Sequence, residues 1–163
     1  MLAQYNGDGV NEVKAVWYNG TATLKQGEVL CYDLDDTDAP VSLPAGSLTV
    51  PPTSSILPRN LRGRQVVDPV TANLSAVAGV VAPESSGVTG PAWVSLIVPR
   101  KGDVAFIYNN ASSTKNTTVF GAANATRTAA SFSDSTFNLP AIAVAIETQD
   151  RSGAAGLTLS RFI

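Results

Sequence analysis

The chain has 163 residues, 11 Lys and Arg against 13 Asp and Glu, and no histidine. Chains of this length hold one domain with a real core, burying roughly 70% of their extended-chain surface. The net charge of −2 argues against a binder of free nucleic acid, and the missing imidazole removes the commonest general base and metal ligand.

The single cysteine, Cys31, makes no intrachain disulfide and no thiolate metal site. The longest apolar runs, such as Trp93 to Val98, fall far short of the about 20 residues a membrane helix needs, and the start MLAQYNGDG is not a signal peptide. The reading is a soluble chain. With 22 Ala, 18 Val, 13 Gly and 10 Pro against 15% charged residues, the composition favours short strands and turns over long helices. The expected class is all-β, a small β-barrel or β-sandwich.

Residues 1–12 carry Asn, Gly and Asp but no apolar face, so they are expected to form a flexible arm that a partner orders, with Tyr5 and Val10 as its anchors. A single β domain then spans 13–163. Its first strand is Val13 to Tyr18, where Val13, Ala15 and Trp17 alternate with Lys14, Val16 and Tyr18; Asn19-Gly20 follows as a tight-turn dipeptide. Lys25-Gln26-Gly27 sets another turn before a strand at Glu28 to Tyr32.

The alternation then stops. Five of the ten prolines fall between Ala39 and Pro58, and proline at that density cannot feed a sheet ladder, so 39–64 is expected to be an extended loop inserted into the domain. The loop ends in PRNLRGRQ. Its Arg59, Arg62 and Arg64 are the one basic cluster, suited to gripping carboxylates on a partner, or phosphate. Strand patterns resume at Gln65 to Val67, Leu74 to Ala82, Ala92 to Val98, Val104 to Tyr108, Thr117 to Phe120, Ile142 to Thr148 and Leu157 to Ile163. Asn124 to Ala130 is the one segment suited to a helical turn.

Two hairpins echo one another. AVAGVVAPESSGVTGPAWVSLIV from Ala76 and AIAVAIETQDRSGAAGLTLSRFI from Ala141 share the order small-apolar strand, polar turn with Ser-Gly, alternating strand. Their crowded Ala and Gly imply a close approach by another layer, as in a small barrel or at a subunit seam.

Candidate chemistry is sparse. DLDDTD, Asp33 to Asp38, has the oxygen density that hard cations favour, but as an EF-hand loop it fails, with Asp38 where glycine is needed and Pro44 where a bidentate Glu should stand. The acids Asp68, Glu84, Asp103, Asp134 and Glu147 each lie in or beside a turn rather than in a paired arrangement. No S-x-x-K motif and no Gly-rich phosphate loop occurs. Sequons at Asn19, Asn73, Asn110, Asn116 and Asn124 fit an Asn, Ser and Thr-rich composition. Trp17, Trp93, Tyr18, Phe106 and Tyr108 lie within strand patterns, where packing is the usual role and a sugar platform the alternative. No catalytic residue, cofactor or metal site is expected, and a binding or structural protein is.

The order of features from Gln65 onward, GRQVVDPVTANLSAVAGVVAPESSG, then WVSLIVPRKGDVAFIY, then the terminal LPAIAVAIETQDRSGAAGLTLSRFI, resembles the capsid decoration (cement, head-stabilising) proteins of tailed bacteriophages. The pieces that carry it are Gly79 to Ala82, Trp93 to Val98 with Gly102-Asp103-Val104, and Ala143 to Glu147 with Leu157 to Ile163. The resemblance implies a compact β module on the outer capsid surface of the virion, clamping neighbouring major capsid protein subunits and assembling as a homo-oligomer, in that family often a trimer. It implies no enzyme activity, no free nucleic acid and no membrane as partner. The alternative is a carbohydrate-binding or adhesin-type β module of a phage tail or cell surface. The Pro-rich segment and the N-terminal arm depart from the family pattern.

Overall fold

The structure is a computed structural model that describes residues 11–33, 65–70, 73–123, 125–133, 141–151 and 154–163. The all-β expectation holds, and the strands build two closed five-stranded barrels. The first contains β1 (Val13–Tyr18), β2 (Val29–Tyr32), β3 (Gln65–Val67), β4 (Val77–Val81) and β5 (Ala92–Ile97). The second contains β6 (Val104–Asn109), β7 (Thr118–Ala123), β8 (Thr126–Ser133), β9 (Ala141–Ala145) and β10 (Gly156–Phe162).

The second barrel repeats the first strand for strand. Around the first, the neighbours are β1, β3, β2, β4 and β5; around the second they are β6, β8, β7, β9 and β10. Each ring has one parallel joint, β1 with β3 and β6 with β8, and every other pair is antiparallel. Smaller features repeat too. The connections β4–β5 and β9–β10 both run for ten residues, and an isolated bridge ties each to the preceding long turn, Thr23 with Thr89 and Ser113 with Gln149. A register shift interrupts β2 with β4 and, equivalently, β7 with β9. The two hairpins that echo in sequence are therefore topological equivalents, β4–β5 and β9–β10.

One connection breaks the repeat. β7 and β8 are joined by residues 124–125, whereas the equivalent β2 and β3 are joined by 33–64. Both pairs are antiparallel neighbours, so the Pro-rich stretch occupies the position of a two-residue hairpin turn. Its root is pinned: Asp33 N–H donates to Gln65 O at 3.1 Å, and Gln65 Nε2 donates to Asp33 Oδ2 at 2.8 Å.

Two local expectations are corrected. Asn19-Gly20 does not close a hairpin, because β1 pairs with β3 and β5 rather than β2; Asn19 N–H instead donates to Val66 O at 2.9 Å. Gly20 is needed for space, since a methyl group there would overlap the Tyr18 ring. Asn124 to Ala130 is not a helical turn. Its Thr126 and Thr128 are β-branched residues that suit a strand, and β8 pairs with β7 from Thr126 onward.

Alternation along the strands divides the core. Val16, Tyr18, Leu30, Val66, Ala78, Val81, Val94 and Leu96 form one buried cluster with Leu24. The intervening Val29, Cys31 and Val80 join Ile97, Ile107, Phe120, Ala129, Ala143 and Phe162 in a second cluster that spans both barrels. β2 thus gives one side chain to its own barrel and the next to the neighbour, and it packs on β7 and β8. Of the two readings of the small-residue strands, packing within the chain is observed, since Ala78, Ala82, Ala143 and Ala145 are all buried.

At the N-terminus, Asn11 and Glu12 belong to the folded part rather than to an arm. Asn11 is buried and donates through Nδ2 to Val104 O at 3.2 Å. Val98 N–H donates to Glu12 O at 2.9 Å, and the Glu12 carboxylate pairs with Arg100. Residues 1–10 lie outside the described residues.

Candidate interaction site

The partner-contact candidates Arg59, Arg62, Arg64, Tyr5 and Val10 lie outside the described residues, as do Asp35, Asp36 and Asp38 of the acidic run and Asp134. What the structure does show is the frame on which the insertion is mounted. That frame depends on how the barrels are joined.

The joint is built on Gly27 and an ionic cluster. Gly27 follows the Lys25-Gln26 turn with φ +77°, a left-handed conformation that favours glycine. It bonds both barrels at once: its N–H donates to Val81 O at 2.8 Å, and its carbonyl accepts from Tyr108 N–H at 2.9 Å. A Cβ there would stand 2.7 Å from Phe106 O and 2.8 Å from Tyr108 N, so the backbones meet at a distance only glycine allows. Lys25 beside it donates to Tyr108 OH at 3.2 Å, with its ammonium over the ring.

Next to Gly27, Glu28 is almost fully buried. Its Oε2 accepts from Lys25 N–H at 2.9 Å and from Arg127 Nε of β8 at 3.1 Å. Arg127 Nη1 reaches Asp68 Oδ2 at 3.0 Å, and Tyr18 OH donates to Asp68 Oδ1 at 2.7 Å. Burial alone would lower the Arg127 pKa, but the charge and hydrogen bond of Glu28, with the charge of Asp68, raise it. Burial, reinforced by the hydrogen bond and charge of Asp68, pushes the Tyr18 hydroxyl well above its ordinary range. The Ala125 N–H to Pro69 O bond of 2.9 Å closes the same corner. In the sequence Gly27 marks only a turn, and neither Glu28 nor Arg127 stands out. The available signal was one Arg inside a Thr and Ala strand, and its partner lies 99 positions away.

The remaining candidates separate. Glu147 Oε1 accepts from Leu159 N–H at 2.7 Å, Glu84 sits in the 3-10 turn Pro83–Ser85, and Asp68 is committed to the joint, so these acids form no paired site. Among the described residues no group of three His, Cys, Asp or Glu stands close enough to hold a metal ion. Asn73 is buried, with its Oδ1 accepting from Val70 N–H at 2.7 Å. Tyr18 is core. Trp17 and Trp93 stand opposite one another on β1 and β5, rings edge to face at 5.6 Å, with Trp17 buried and Trp93 39% exposed. Among the described residues Phe106 is exposed as well.

No known family model matches the chain, and no curated protein matches it.

Proposed function

We propose that this protein is a capsid decoration protein of a tailed bacteriophage, bound to the outer capsid surface and clamping neighbouring major capsid protein subunits. The observation that carries the reading is the insertion at 33–64. One barrel closes the β7–β8 hairpin with two residues, and its twin spends 32 at the same position, ending in Arg59, Arg62 and Arg64. Ordering so long a segment costs roughly 1–2 kcal/mol per residue, a cost that contact with a partner offsets.

The rest of the frame suits the task. The two barrels share a core and an ionic joint, so they present one frame to a partner. The chemistry proposed is binding alone, with no enzymatic step: a clamp present at 100 times its dissociation constant stabilises each site by about 2.7 kcal/mol, multiplied over a lattice. The partners are the major capsid protein and further copies of this chain as a homo-oligomer. The exposed Trp93 against Trp17 favours, as the second reading, a carbohydrate-binding module.

The test replaces residues 33–64 with Asn-Gly, copying the length of the β7–β8 turn. The variant is expected to keep its β spectrum and to lose occupancy on capsids in co-sedimentation, and Arg59→Ala, Arg62→Ala and Arg64→Ala combined should make the remaining binding less salt-sensitive. Full occupancy of the shortened variant overturns the proposal, and retention on immobilised glycans with no capsid binding would favour the second reading.

A further inference from the structure

The two barrels share a topology but not an interior. In the first, Tyr18 stands opposite Ala92, and the inward residues Val16, Tyr18, Val94 and Leu96 belong to one apolar cluster. In the second, Asn109 stands opposite Gly156 in the same relation, so Asn109, Thr158 and Ser160 occupy the positions of Tyr18, Val94 and Leu96. All three are buried. Thr158 Oγ1 donates to Asn109 Oδ1 at 2.8 Å, Asn109 Nδ2 donates to Ala111 O at 2.6 Å, and Ser160 Oγ donates to Thr158 O at 3.1 Å. An apolar barrel end has become a polar one, which is unfavourable unless its polar atoms find partners.

Arg151 closes this end. From the β9–β10 connection its guanidinium folds onto Gly156, where any side chain would overlap Nη1, and Nη2 comes within 3.5 Å of Thr158 Oγ1. Ser112 Oγ accepts from Arg151 N–H at 2.8 Å and lies 3.2 Å from Asp150 Oδ1, while Ser113 and Gln149 exchange backbone bonds of 2.9 Å. The two connections are thereby stitched over one barrel end. Two buried atoms of this stitch, Arg151 Nε and Ser113 Oγ, have no hydrogen-bond partner among the described residues, and none of the ion pairs there includes Arg151.

We infer that the Arg151 end of the second barrel binds a carboxylate group. The unused Arg151 Nε–H can only donate and the Ser113 hydroxyl can donate or accept, so an accepting ligand satisfies both. A guanidinium presents paired N–H groups that match a planar carboxylate, and a cation held in a partly buried polar mouth gains from a counter-charge. The carboxylate comes either from a small organic acid or from an Asp or Glu side chain of another protein. This inference does not rest on the capsid reading.

The test is a titration of the 15N-labelled full chain at constant ionic strength, following the Arg151 Nε–H signal and the amides of residues 109, 112, 113, 151 and 158. One arm uses sodium acetate against sodium chloride, the other a blocked Gly-Glu-Gly peptide. Saturable shifts confined to these residues are expected in at least one arm, acetate alone indicating a free acid and the peptide alone a protein side chain. Arg151→Gln should weaken the apparent affinity roughly tenfold. Ser113→Ala, which removes a hydroxyl without a partner, should keep the fold and weaken it roughly threefold. Linear, unsaturated shifts in both arms, or an affinity unchanged in folded Ser113→Ala and Arg151→Gln, overturn the inference.

Discussion

Arg127 of the second barrel and Glu28 of the first meet at 3.1 Å across the joint, and Glu28 is only 4% exposed. Removing the cation leaves a buried carboxylate without its counter-charge, a change that costs about 3 kcal/mol or more. Arg127→Ala should therefore lower the urea midpoint strongly. In a Glu28→Gln background the same substitution should cost far less, because the charge it neutralises is gone. Equal losses in both backgrounds would show that the pair is not coupled.

Gly27 carries the other half of the joint. Alanine there must hold φ +77° and push its Cβ against Phe106 O and Tyr108 N. Both effects act on the folded state, and together they should cost about 2 kcal/mol. Gly87 is the control: it has φ +88° but open space around its Cβ position, so Gly87→Ala pays for conformation alone. Chemical denaturation of the two variants should place Gly27→Ala clearly lower, and equal losses would remove the close approach as the cause.

The strands were legible because their period was local. Val13 to Tyr18 and Gln65 to Val67 were read to their ends, and the Ala76 and Ala141 hairpins betrayed the repeat. What was hidden was pairing. Asn19-Gly20 looks like a hairpin turn, but β1 finds its partners 48 and more residues later, and no local pattern specifies so distant a neighbour. The doubling of the barrel was obscured for a related reason: the 33–64 insertion throws the first three strands out of the spacing that the last two keep. The joint was illegible altogether, since Glu28, Asp68 and Arg127 become a cluster only through long-range packing.

Cys31 is fully buried, and burial pushes its thiol up to about 11. The unfolded chain therefore loses that proton at lower pH than the folded one. Stability from this group is fully present below the unfolded value near 9 and is lost as pH rises toward about 11, a total of about 3 kcal/mol. Tyr18, raised in the same direction from its ordinary value of 10, adds to the decline from about pH 10 upward. Denaturation midpoints measured from pH 8 to 11 should fall in the native sequence and fall less in Cys31→Ala. Parallel curves for the two would assign the alkaline loss to other groups.

Trp17 and Trp93 face each other across β1 and β5 yet differ tenfold in exposure, 4% against 39%. A collisional quencher should distinguish them. Acrylamide titration of the native protein is expected to show two components, one accessible and one protected, with the protected emission to the blue. Trp93→Phe should remove the accessible component while keeping an aromatic edge against Trp17, so the stability loss should stay near or below about 1 kcal/mol, a shift of roughly 2–4 °C for a chain of this size. Trp17→Phe should do the reverse, sparing the quenchable emission and costing more, because it vacates a buried site. Should Trp93→Phe leave the accessible component in place, the exposed ring is not Trp93, and its use as a contact for sugar or protein falls with it.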